Sequence, residues 1–182
     1  MNLGPVRRSL VVACVLPLLL TACSEAEPTP KMPDPTPTES SPSASSSETP
    51  EPWEEKSEDG AVAFAKHWID LFNDARLQFE TAPLQSASTP ACESCSNYAE
   101  VIEQWRSDGT TYESKPWKVL QVGVISAREA ETQVALRISR PAEVITPSKG
   151  PAERNSSSRA TYDATVRWSQ GQWRMHELVI PE

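Results

Sequence analysis

Cys92 and Cys95, three positions apart, and Cys23, which closes an apolar run, are the residues of this 182-residue chain whose type and spacing define a chemistry. A Cys-x-x-Cys pair supports a structural disulfide at the first turn of a helix, a redox-active dithiol, or half of a metal site. As a staple it closes a very short loop and contributes roughly 2 kcal/mol. As a redox pair it would use the positive end of the helix macrodipole to lower the Cys92 thiol pKa. Glu93 opposes that with a negative charge, and no strand leads into the helix as in a thioredoxin-like unit. A metal needs further ligands, yet His67 and His176 have no ligand spacing, and Ser96 stands where a haem attachment site has His. The staple is the preferred reading and the thiol-disulfide role its alternative; no metal is expected.

General acid-base chemistry would need a carboxylate, His or Tyr brought together in apolar surroundings. Asp70, Tyr162, Asp163, His176 and Glu177 are available, but no spacing selects a pair, and His176 and Glu177 as strand neighbours face opposite sides. There is no glycine-rich phosphate loop and no serine nucleophile motif. No catalytic residue is therefore assigned, no cofactor is expected, and the balance leans away from an enzyme.

The third cysteine fixes an address. Arg7 and Arg8 precede an apolar run from Leu10 to Leu20, followed by Thr21 and Ala22, the order of a secretory signal peptide. The run is shorter than the about 20 residues a membrane-spanning helix needs, and Pro17 interrupts it. Leu20-Thr21-Ala22-Cys23 resembles the lipobox of bacterial lipoproteins. That resemblance implies cleavage between Ala22 and Cys23, a diacylglyceryl group on the Cys23 thiol, and residence on the outer, extracytoplasmic face of the cell membrane. Two acyl chains are what make such an anchor durable, since one holds only marginally. An oxidising compartment in turn favours the disulfide between Cys92 and Cys95.

The net charge of −8 divides unevenly along the chain. Residues 1–22 carry +2, residues 23–57 carry 8 acidic against 2 basic side chains, and residues 58–182 carry 17 against 13. Neither acidic segment clusters Lys or Arg, which argues against nucleic acid as a partner and against electrostatic adhesion to anionic lipid. Residues 23–57 are Pro, Ser, Thr and Glu with almost nothing apolar, a composition that cannot offset the entropy of ordering. The sequence thus predicts a signal peptide over 1–22, a lipidated and disordered tether over 23–57, and one globular domain over 58–182.

Within the domain, Ala61, Phe64, Ala65, Trp68, Ile69 and Phe72 recur at helical spacing, with Lys66, Asp70, Asn73 and Asp74 between them. Thr89-Pro90 reads as the start of a second helix, whose apolar face carries Cys95, Tyr98, Val101, Ile102 and Trp105 until Gly109 ends it. After Pro116 the period becomes 2. Trp117 to Ile125 reads as a covered strand, Val134, Leu136 and Ile138 as a half-buried one. Tyr162 to Trp168 and Trp173 to Ile180 flank Ser169-Gln170-Gly171-Gln172 as a hairpin in which Trp168 and Trp173 stack. Pro141 to Ser158 is a long connection whose large apolar residues are Val144 and Ile145. The expectation is an α+β fold, two N-terminal helices packed on an antiparallel sheet of about four strands.

This order, with its closing hairpin at Gly171-Gln172-Trp173-Arg174, is similar to the cone-shaped folds related to nuclear transport factor 2 and cystatin. Together with the lipobox, the Pro/Ser/Thr tether, Gly60, Ala61 and Phe64, and Cys92-x-x-Cys95 before a helix, it resembles a family of uncharacterised actinobacterial lipoproteins. That resemblance implies a fold and a location but no reaction. The functional expectation is a non-enzymatic binding or interaction module of the cell envelope. Its partners would be the membrane, through the lipid on Cys23, and an unknown envelope protein or small ligand.

Overall fold

The computed structural model describes residues 50–181. Cys23, the segment before it and most of the tether lie outside the described residues.

Helix α1 (Glu58–Gln78) follows from its stripe: Ala61, Phe64, Ala65, Trp68, Ile69 and Phe72 are all buried. Its N-terminus is capped by the Ser57 hydroxyl, which accepts from the Gly60 N–H at 3.0 Å, and Glu58 and Asp59 add negative charge to the first turn. Order begins before the boundary expected at residue 58. Pro52–Glu54 form a 3-10 turn, Trp53 stacks on His67 with ring centroids 4.1 Å apart, and the Trp173 indole donates to the Glu55 carbonyl at 2.8 Å. A Cβ at Gly60 would lie 2.0 Å from the Glu55 carbonyl oxygen, so glycine is what lets this strap cross α1.

A short helix, α2 (Ala82–Ser86), precedes α3 (Glu93–Asp108). The cap of α3 is Cys92, whose sulfur accepts from the Cys95 N–H at 3.2 Å, instead of Thr89. Thr89 is committed elsewhere: its N–H donates to the Met175 carbonyl at 2.7 Å and its hydroxyl lies 3.0 Å from His176 Nδ1. On α3, Cys95, Ala99 and Ile102 are buried and Tyr98 and Trp105 half-buried, but Val101, expected on the apolar face, is exposed.

Four strands form the main antiparallel sheet in the order β2 (Lys118–Arg128), β3 (Glu131–Arg140), β6 (Ser158–Ser169), β7 (Gln172–Val179). Val134, Leu136 and Ile138 on β3 and Tyr162, Ala164 and Val166 on β6 are buried, and α1 contacts all four strands. The last hairpin turns through Gln170 and Gly171, both at positive φ, which matches the twist of the flanking strands. Trp168 and Trp173 pair across it edge to face at 5.3 Å.

In the sheets, two further expectations change. The connection from Pro141 to Ser158 carries β4 (Glu143–Thr146) and β5 (Glu153–Asn155), which join β1 (Thr111–Ser114) in a second, three-stranded sheet ordered β1-β4-β5. Strand β2 is not covered: it is a sheet edge, and Leu120, Val124 and Ile125 are exposed. Register breaks between Val119 and Gln121 and between Val124 and Ser126 leave Leu120 and Ile125 unpaired, so its apolar run does not map onto one buried face. The other edge is protected, because Met175 bonds the Ala87 carbonyl and the Leu178 N–H donates to Ser94 Oγ. The architecture remains α+β, helices against an antiparallel sheet.

Candidate functional site

The last turns of α1 continue its buried stripe with polar residues. Asn73, expected among the solvent-facing positions, is buried, and so is Arg76. Asn73 holds α1 to the start of β2: its Nδ2 donates to the Trp117 carbonyl at 3.0 Å, and its Oδ1 accepts from the Trp117 N–H at 2.8 Å and from Arg76 Nη2 at 2.9 Å.

Arg76 then reaches the small sheet. Its Nη1 donates to the Tyr112 hydroxyl and lies 3.6 Å from Glu143 Oε2. The Tyr112 hydroxyl in turn donates to that oxygen at 2.8 Å, and Asn155 Nδ2 donates to Glu143 Oε1 at 3.1 Å. The guanidinium carbon stands 4.6 Å from the ring centroids of both Phe72 and Trp117 and 5.3 Å from that of Tyr112, within cation-π range. A second arginine, Arg140 at the end of β3, lies 5.1 Å from the Trp117 centroid and bonds the Tyr162 hydroxyl at 3.4 Å. Tyr98 tilts against Phe72, Trp105 stacks on Tyr112, and Tyr162 packs on Trp117, so the three rings that face the guanidinium groups are backed by three more.

Burial lowers the Arg76 pKa, against the pull of Tyr112 and Glu143, and raises those of Tyr98, Tyr112 and Tyr162. The three phenols therefore keep their protons; the Tyr112 hydroxyl donates to Glu143, while that of Tyr162 accepts from Arg140. Two buried donors here have no acceptor among the described residues: Arg76 Nε and Trp117 Nε1, on side chains 4% and 7% exposed. Such orphans cost about 1–3 kcal/mol each unless something accepts from them. Arg140 has no carboxylate partner among the described residues. The arrangement is a cationic, donor-rich, aromatic end of the domain, suited to holding an acceptor.

Of the groups weighed from the sequence, only Tyr162 belongs to this cluster. Asp70 and Glu177 are exposed, Asp163 is half-buried, and His176 is bonded to Thr89. His67 lies under Trp53, where burial lowers its pKa against Asp70 and Glu51. That stack borders a surface groove of about 1120 Å³ that also meets Gln85, Trp173 and Arg174. Neither orphaned donor lines this groove. Arg76, Arg140, Tyr112 and Glu143 were missed; the signal for Arg76 was its place four residues after Phe72 on an apolar stripe. No group of three or more His, Cys, Asp or Glu among the described residues is arranged to hold a metal.

Cys92 and Cys95 are joined as a disulfide and are 0% and 4% exposed. Exchange requires a thiolate to reach a sulfur, and burial denies that approach. The double substitution to Ser is expected to lower stability by about 2 kcal/mol. Urea unfolding measures this, and a native bridge that dithiothreitol reduces within seconds would contradict the buried geometry.

The fold and the cluster define an α+β cone domain with an arginine-aromatic end. The chain belongs to a family of unknown function, DUF6318, whose pattern matches residues 38–179. Among solved structures, the intermembrane space region of the chloroplast protein ARC6 is similar at TM-score 0.51 and 14% identity, over 70% of this chain and 99% of that one. A protein with a cystatin-like fold from Caulobacter vibrioides gives TM-score 0.45 and 8% identity, over 68% and 91%. A scytalone dehydratase homologue from Novosphingobium aromaticivorans gives 0.42 and 14%, over 65% and 82%. These likenesses concern the fold alone. No curated protein matches the chain.

Proposed function

We propose that this protein is a lipid-anchored, extracytoplasmic binding module, held to the membrane through Cys23 and using the arginine-aromatic end of its domain to receive a ligand. The observation that carries the binding half is the pair of buried donors without acceptors, Arg76 Nε and Trp117 Nε1. A fold that needed the cluster only for packing would gain by satisfying them or replacing them with apolar atoms. Tyr112 and Glu143, the one phenol–carboxylate pair described in the cluster, are engaged with Arg76 and Asn155, which favours binding over catalysis. The buried disulfide serves this reading as a staple of α3.

The anchoring half rests on the lipobox-like order that ends at Cys23. Cys23→Ala is expected to move the protein from the membrane fraction to the soluble one; protein that stays with membranes after this change excludes lipid anchoring through that residue. Native mass spectrometry of the chain released gently from its own membranes tests the binding half. The expected result is a non-covalent adduct that is lost on denaturation.

A further inference from the structure

We propose that the free edge of β2 is a docking site for an extended acidic peptide of another protein, which adds to the four-stranded sheet alongside β2. This is a second surface, and it does not rest on the ligand proposed for the arginine-aromatic end. Three arguments lead to it.

The first is the open backbone. The Asn73 side chain takes both backbone groups of Trp117, so the free edge begins at Lys118. From Lys118 to Arg128 the backbone makes no hydrogen bond outside its ladder with β3 among the described residues. Such an edge offers its N–H and carbonyl groups to an incoming chain, whereas the β7 edge is already bonded to Ala87 and Ser94.

The second is shape. A surface groove of about 580 Å³ runs between α1 and this edge. Lys66, Asp70 and Asn73 line one side at helical spacing, and every residue from Lys118 to Val122 lines the other. Successive strand residues point to opposite faces, so a groove that meets all of them follows the backbone edge and not one face of the sheet. That run of strand spans about 16 Å, room for one extended segment. Leu120, pushed out of the ladder by the first register break, is exposed there and supplies an apolar contact.

The third is charge, which selects the occupant. Residues 115–128 carry Lys115, Lys118 and Arg128 and no acid, in a domain whose acids outnumber its bases. Of these cations only Arg128 is in an ion pair among the described residues, with Glu131, and Lys66 adds another unpaired cation on the α1 side, against Asp70. A second copy of β2 would set like charges against one another, and the two register breaks hinder flat edge-to-edge pairing of sheets. A single chain can follow the bend, and its carboxylates then meet Lys66 and Lys118.

The test uses the full chain, nitrogen-15 labelled, with a blocked heptapeptide of alternating Glu and Val as the probe. The expected result is that the probe shifts the amide resonances of Lys118 to Val124 and slows their exchange with solvent. A peptide with Lys in place of Glu is expected to bind about tenfold more weakly or worse. N-methylation of the central Val, which removes one backbone donor, should weaken the acidic probe by about fivefold. Lys118→Glu, at an exposed position, should also weaken it by about fivefold and strengthen the basic peptide, and Lys66→Glu on the other wall should act in the same direction. Equal binding of the acidic and basic peptides overturns the proposal, as does a response confined to other residues or none at all. Amides of β2 that are protected in the protein alone would show that the chain's own tether holds the edge, and amides that shift on dilution would show a second copy there; either result overturns it.

Discussion

Asn73→Leu is expected to destabilise the domain by about 4 kcal/mol, although Leu is close to Asn in size and apolar where the site is buried. The substitution removes no charge and opens no large cavity. It strands the N–H and carbonyl of Trp117, which pair with the Asn73 amide at 2.8 and 3.0 Å, and it takes an acceptor from Arg76 Nη2. Each buried group left unpaired costs about 1–3 kcal/mol. Urea denaturation of the purified domain measures the change. A loss below about 1 kcal/mol would mean that the start of β2 reorganises and that Asn73 is not what ties it to α1.

The same residue shows where the sequence is legible and where it is not. The stripe from Ala61 to Phe72 is readable because apolar burial is a matter of period, and the helix and its core face follow from it. Strand β3 and the closing hairpin are readable for the same reason at period 2, and Trp168 and Trp173 meet as their positions across the turn imply. Period arguments assign polar residues to solvent, and so Asn73 goes to the wrong side of α1. Its burial is dictated by a backbone 44 positions away, information that no local window holds.

Strand β2 fails differently. Its apolar run suggests burial on both faces, but two bulges push Leu120 and Ile125 out of register, and its place at the edge depends on the order of the whole sheet. The small sheet could not be read because β4 and β5 are four and three residues long and pair with β1 from before the main sheet begins. That sheet supplies Tyr112 and Glu143, so the candidate site could not be assembled from sequence even with Arg76 in hand. Cys92 and Cys95 were legible as a pair because a three-residue separation leaves little freedom in how they meet.

Arg76→Ala is expected to cost about 3–5 kcal/mol, the range for breaking a buried ion pair from one side. Glu143 would keep its charge in a half-buried site with Tyr112 and Asn155 as its remaining donors, and three rings would lose the guanidinium packed on them. Arg76→Met separates these contributions. Met refills most of the volume against Phe72 and Trp117, so what remains of the loss reports the unpaired carboxylate. Adding Glu143→Gln to Arg76→Met is then expected to recover about 1–2 kcal/mol, although Glu143→Gln alone destabilises the native domain. A double-mutant cycle read by urea unfolding gives the coupling directly. Strictly additive losses would show that Arg76 is held by its rings and by Asn73, and that the Glu143 contact at 3.6 Å contributes nothing. A large coupling energy would show that Glu143 and Arg76 act as a pair in joining the end of α1 to the small sheet.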